Sequence, residues 1–308
     1  MRPNHGGLPI SSPMKTPSLL VILTLSPILA CAALDTAKIE TATGLKGALN
    51  EAEGVFKVSA PRSDVKINVD GWQMPPFMGL TSWAGFLPGK KEEAMVMGDL
   101  VLFQDEVNPV MSVALDAGLS VTALHNHFFY DEPKVYFMHI GGEGAAEKLG
   151  AAVKAALDKA KEIRAANPVP GKIFGAGFAP AANGITAAPL EAALGGKATA
   201  KDGMAKFVFG RVSKMPCGCE VGKEMGVNTW AAFAGADDNA IVDGDFCVLE
   251  TELQTVLKTL RAEGINIVAI HQHMTMEEPR YLFLHYWGKG KALDLAKAVK
   301  SALATQGK

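Results

Sequence analysis

Six of the chain's seven histidines fall in two copies of one pattern. The first copy is His125-Asn126-His127, then Glu132-Pro133, then His139. The second is His271-Gln272-His273, then Glu278-Pro279, then His285. Both read H-x-H-x4-E-P-x5-H. Three imidazoles and one carboxylate suit a divalent transition metal such as Zn, Cu, Fe or Mn. The candidate metal ligands are therefore His125, His127, Glu132 and His139, with His271, His273, Glu278 and His285 in the second copy. Glu132 and Glu278 are also the candidate catalytic bases, because a metal with an open position can activate a water beside a carboxylate. The plainer alternative is a network of core histidines bonded to backbone and glutamate. Six histidines at matched spacing favour metal or catalytic use, but duplication copies whatever the first triad does.

Strands must position these groups. Residues two apart on a strand share a face, so His125 and His127 project together, as do His271 and His273. An antiparallel return strand brings His139 or His285 to the same end. Residues 98–144 align without a gap onto 244–290, and 14 of those 47 positions are identical. A repeat this long means two domains or a pseudo-dimer, not a solenoid. In repeat 1, strands are expected at Val55–Ser59, Val65–Val69, around Trp83, and over Ala94–Phe103 into a turn at Gly98-Asp99. Short helices are expected at 39–50 and 188–195. Glu106–Ala117 has helical apolar spacing and ends at Gly118. Leu119–His127 and Lys134–Ile140 read as a hairpin, and Ala145–Ala166 as an amphipathic helix. The fold class is α+β: two tandem homologous repeats, each a mostly antiparallel sheet with helices on one face, core order β-α-β-β-α, packed as a pseudo-dimer. Repeat 1 spans 39–166, a Gly/Ala/Pro-rich linker 167–187, and repeat 2 188–308.

Other residues compete for roles. Cys217 and Cys219 offer either a soft-metal site or a disulfide, with Cys247 as a third thiol. Trp83 and Trp230 are expected to anchor the cores, with a sugar-stacking surface as the alternative. Asp99 and Asp245 read as turn or bulge residues, or as carboxylates supporting a histidine. Arg62 and Arg211 suit salt bridges better than anionic ligands.

Residues 1–32 read as an export signal. Positive charge at Arg2 and Lys15 precedes an apolar run from Leu19 to Leu29, too short for a membrane span. Ala30-Cys31-Ala32 fits signal cleavage, while Ile28-Leu29-Ala30-Cys31 looks like a lipobox with lipidation on Cys31. The expected location is the periplasm or cell surface, with no transmembrane span in the mature chain. Net charge is −2, which argues against nucleic acid as a partner.

Asn228-Thr229-Trp230-Ala231-Ala232-Phe233, Gly244-Asp245-Phe246, His271-Gln272-His273-Met274 and Glu278-Pro279-Arg280 together resemble the LppY/LpqO family of exported bacterial proteins. Met74-Pro75-Pro76, Trp83, His125-Asn126-His127 and Glu132-Pro133 carry the same resemblance in repeat 1. It covers nearly all of residues 39–305. It implies an exported, lipoprotein-like chain, sometimes peptidoglycan-binding, and it brings no established activity or catalytic residues. Three functions follow as expectations: metal binding in the cell envelope, a metal-dependent enzyme, or a cell-wall module whose histidines are structural.

Overall fold

A glycine too crowded for any side chain shows how closely the strands pack. A Cβ on Gly98 would lie 2.6 Å from the Trp83 carbonyl and 3.1 Å from Ile140 Cγ1. The expected turn at Gly98-Asp99 is therefore corrected: the glycine lets two strands approach, and Ala94–Phe103 runs straight through. Gly244 is enclosed in the same way by Trp230 and Tyr286.

The computed structural model describes Met1, residues 34–174 and residues 182–307. Apart from Met1, the expected signal segment, including Cys31, lies outside the described residues. Among the described residues no helix is long and apolar enough to cross a membrane.

Twelve strands form one antiparallel sheet. In repeat 1 they are β1 (Gly47–Asn50), β2 (Val55–Pro61), β3 (Thr81–Pro88), β4 (Ala94–Phe103), β5 (Ser120–His125) and β6 (Val135–Gly144). In repeat 2 they are β7 (Thr199–Lys201), β8 (Met204–Gly210), β9 (Asn228–Ala236), β10 (Asn239–Leu249), β11 (Asn266–His271) and β12 (Tyr281–Gly290). Their order is β1-β2-β3-β4-β6-β5-β11-β12-β10-β9-β8-β7. The repeats thus meet at β5 and β11.

Helices α1 (Thr36–Thr43), α2 (Gln104–Asp116), α3 (Ala146–Ala166), α4 (Ala187–Leu194), α5 (Leu253–Ala262) and α6 (Ala292–Leu303) pack on one sheet face. One continuous apolar core runs beneath all of them and through both repeats. The expected helix over 39–50 is shorter than its range. Asp35 caps it at Lys38 N–H, Gly44 closes it at φ 69°, and Gly47–Asn50 turns back to pair with β2. The strand expected at Val65–Val69 shrinks to Asn68–Val69, in a small separate sheet with Trp72–Gln73 and Asp131–Glu132.

Trp83 and Trp230 are not core anchors. Alternation along β3 and β9 sends Ala84, Phe86, Ala231 and Phe233 into the helix-covered core and both tryptophans to the opposite face. There Lys57 Nζ lies 4.3 Å from the Trp83 ring and Lys206 Nζ 4.2 Å from the Trp230 ring.

Arg62 is consumed by structure. Its guanidinium makes two 2.6 Å bonds to Glu106, whose carboxylate also accepts from Arg164 and from the Phe103 N–H that starts α2. Arg211 and Glu252 repeat the arrangement. These bidentate pairs fix each helix start to its own sheet.

A bulge sets the face of the histidines. Val121 pairs with Ile140 and Ala123 with His139, so β5 carries one extra residue, Thr122. The same shift falls between Ile267 and Ala269 in β11. Val121 and Leu124 both point into the helix-covered core, three positions apart. Without the bulge, strict alternation would put His125 in that core; with it, His125 faces the uncovered side.

The seam itself has one strand pair, Leu124 with Ile270. Side-chain amides extend it. Asn108 of α2 donates to the Ile267 carbonyl at 3.0 Å and accepts from its N–H at 2.7 Å. Gln254 of α5 does the same to Val121, at 2.9 Å for both bonds. Each repeat's helix thereby satisfies the bulged strand of the other. Replacing Asn108 with Ala leaves two backbone groups without their amide partner, each worth about 1–3 kcal/mol if buried. Asn108→Ala should lower the urea midpoint clearly, and Asn108→Ala/Gln254→Ala further. Unchanged midpoints in both variants would show that the amides do not hold the seam.

Candidate metal centre

Three neighbouring strands each deliver one polar side chain to the uncovered face. Asp99 on β4 pairs with His139 on β6, and His139 faces Ala123, two residues before His125 on β5. In repeat 2, Asp245 on β10 pairs with His285 on β12, which faces Ala269, two residues before His271. Continuing the Leu124–Ile270 register places His125 beside Ala269 and His271 beside Ala123. The two clusters therefore flank the seam, with small residues between them.

His127 and His273 lie just past the strand ends. Aromatic stacking holds them: His127 lies 3.5 Å over Phe137 at 4°, and His273 lies 3.5 Å over Phe283 at 11°. Both phenylalanines are buried. Each H-x-H pair converges, with ring centroids 5.2 Å apart in both repeats.

In repeat 1, His125 Nε2 and His139 Nε2 stand 3.1 Å apart, and Asp99 Oδ2 is 4.0 Å from His139 Nε2. Nitrogens each about 2.0–2.1 Å from one zinc ion would themselves be separated by roughly 3–3.5 Å. In repeat 2, ligand atoms of Asp245, His271 and His285 all lie within 4.8 Å of one another. Asp245 Oδ2 is 3.1 Å from His273 Nε2 and 3.9 Å from His271 Nε2, and Oδ1 is 3.8 Å from His285 Nδ1.

The hydrogen bonds constrain the protons. His273 Nδ1 lies 3.2 Å from the Gly226 carbonyl, which can only accept. The Nδ1 hydrogen is thereby assigned, and in a neutral ring Nε2 presents a lone pair. That nitrogen faces an Asp245 oxygen at 3.1 Å. Asp245 is 2% exposed and Asp99 8%, and Oδ1 of each is buried and accepts no hydrogen bond. Burial raises the Asp99 carboxyl above the ordinary aspartate range, against the pull of His139, His127 and His125. Burial lowers His127, with His125 adding to the effect. Burial also lowers His271, against the pull of Asp245.

The structure brings the six histidines together in two triads. It does not bring Glu132 or Glu278 to them. Glu132 has a side chain 69% exposed and pairs with Lys172 at 3.2 Å. Glu278 is exposed, its backbone paired with Lys214. The carboxylates among the histidines are Asp99 and Asp245. One signal could have found them: an aspartate identical in both copies within an otherwise apolar strand, where a buried charge needs a partner.

The thiols stand apart from the histidines. Cys217 and Cys219 are exposed and free, whereas Cys247 is buried and its thiol is pushed up to about 12 by burial. Cys247 packs with Val227, Tyr281 and Phe283 and acts as a small apolar side chain.

Fold and site define an α+β protein of two tandem repeats on one antiparallel sheet, with a histidine–aspartate cluster in each repeat. Residues 37–159 and 188–305 each match the family described as "Domain of Unknown Function (DUF1259)", and the chain belongs to that family. No curated protein matches the chain. A solved structure described as a trimeric bacterial microcompartment shell protein PduB is 10% identical over 84% of this chain and 89% of its own. Its TM-score is 0.22, too low to carry an argument.

The lowered histidines give a pH prediction. The unfolded chain binds protons that folded His127 and His271 resist. In metal-free protein their effect should leave stability full above an ordinary histidine pKa of about 6.5 and reduce it as pH falls below that value. Thermal melts from about pH 7.5 to 5 should show a falling Tm, with a shallower fall in His127→Gln/His271→Gln. An equally steep fall in the variant would place the titrating groups elsewhere.

Proposed function

We propose that the two clusters are metal centres that bind a divalent transition metal, Zn, Cu, Fe or Mn, in the cell envelope. His125, His127 and His139 with Asp99 form one ligand set. His271, His273 and His285 with Asp245 form the other. The observation that carries this reading is the buried Asp245 carboxylate, with an oxygen that accepts no hydrogen bond among three converging imidazoles. A buried, incompletely bonded carboxylate is costly, and a cation offsets that cost. Mixed imidazole and carboxylate donors fit these transition metals better than Mg or Ca, which prefer all-oxygen sites.

A second reading, a metal-dependent enzyme, draws on exposure. The His271, His273 and His285 side chains are 30%, 31% and 46% exposed, so solvent or a substrate can reach the ion. Export, through signal cleavage or a lipid anchor at Cys31, belongs to the same proposal. So do the pseudo-dimeric packing, with one metal site per repeat or one shared at the pseudo-twofold axis, and the LppY/LpqO identity with its cell-wall association.

The test is metal content by plasma mass spectrometry on the full chain, tag removed, after reconstitution with each metal. About one or two equivalents of one metal are expected, lost in Asp99→Asn/Asp245→Asn and kept in Glu132→Gln/Glu278→Gln. No bound metal after reconstitution would overturn the reading. Metal-free protein that still sediments with peptidoglycan would move the wall-binding function to the front.

A further inference from the structure

Met215-Pro216-Cys217-Gly218-Cys219 forms a tight hairpin tip. Flanking residues Ser213 and Lys214 pair with Val221 and Glu220. Gly218 N–H donates to the Met215 carbonyl at 2.8 Å, and Met215 N–H donates to the Cys219 carbonyl at 2.9 Å. Pro216 suits the first corner of the turn, and Gly218, at φ 85°, takes the left-handed position. This geometry puts Cys217 and Cys219, two residues apart, on the exposed tip of one tight turn.

The hairpin is fastened to the histidine loop. Lys214 and Glu278 exchange backbone bonds of 2.8 and 2.9 Å, and Ser213 Oγ donates to the Pro279 carbonyl at 2.8 Å. Glu278 and Pro279 belong to the loop that begins at His273.

We propose that Cys217 and Cys219 form a second metal site that captures Cu(I) as a dithiolate. Soft thiolates select Cu(I) over the divalent ions suited to imidazole and carboxylate. Among the described residues, no third His, Cys, Asp or Glu ligand atom joins the two sulfurs within 4.8 Å, so the site lacks the four donors of structural zinc. Cu(I) tolerates linear coordination by two sulfurs. Binding forms two Cu–S bonds, releases the thiol protons to solvent and transfers no electron. Neighbouring Cys219 lowers the Cys217 thiol while its own thiol is raised in return, so Cys217 is the first to give up its proton and the incoming ion displaces the second. Repeat 1 has Met74 and Met78 at the like place and no thiol, so the site belongs to repeat 2 alone.

The test is anaerobic Cu(I) titration of the reduced full chain against bicinchoninate, a chromogenic Cu(I) chelator. About one equivalent should be held by the wild type and by Asp99→Asn/Asp245→Asn, and bound at least ~10-fold more weakly by Cys217→Ser/Cys219→Ser. Near-ultraviolet thiolate-to-copper absorption should disappear with the cysteines. Equal retention by the cysteine variant, or none by the reduced wild type, overturns the proposal. Neither outcome touches the histidine reading, which divalent metal content decides. Both cysteines are exposed, so far-ultraviolet circular dichroism should confirm that the serine variant folds.

Discussion

Two side-chain amides hold this molecule together at its narrowest point. A strand pair of one residue cannot by itself join two six-stranded halves. Asn108 and Gln254 supply what the bulges remove, each giving the opposite strand one donor and one acceptor. The bulges cannot simply be ironed out, because they turn His125 and His271 away from the core. The seam is therefore weak in backbone pairing because the histidines must face outward. The amides are the compensation, and the core beneath supplies the apolar burial.

Carboxylates on the two faces of the sheet meet different treatment. Glu106 is fully buried, and Arg62, Arg164 and the Phe103 N–H fill its acceptors. It belongs to a satisfied structural network. Asp99 and Asp245 are almost as buried, yet each keeps an acceptor empty beside a group of imidazoles. A fold able to satisfy Glu106 so completely could satisfy these aspartates too. Their unfilled acceptors are what the metal proposal rests on.

Much of this arrangement was legible in the sequence. The 146-residue offset exposed the duplication, helical spacing placed α2, and the H-x-H pairs marked the strand ends. Period-2 patterning also held the correct face of Trp83, since Ala84 and Phe86 are the inward pair, but size and aromatic character argued for the core. The carboxylate that stands among the histidines was misplaced for a physical reason. Glu132 is near the histidines in sequence, whereas Asp99 reaches them only through the β4–β6 register, a pairing 40 residues apart. A bulge leaves no compositional mark, so the phase of β5 could not be read without its partner strand. The amide lock joins residues 159 and 133 positions apart, beyond the reach of any local pattern.

The repeats have also drifted apart in one direction. His273 is oriented from both sides, by the Phe283 ring and by the Gly226 carbonyl, whereas His127 has the ring but no such carbonyl among the described residues. A ligand fixed in one tautomer and one orientation loses less freedom when an ion binds. Repeat 2 also gathers side-chain atoms of Asp245, His271 and His285 within 4.8 Å of one another, and its thiol hairpin is hydrogen-bonded to the loop after His273. The better-oriented cluster and the two exposed thiols thus fall in the same half. The repeat 1 cluster keeps the residue types with looser support.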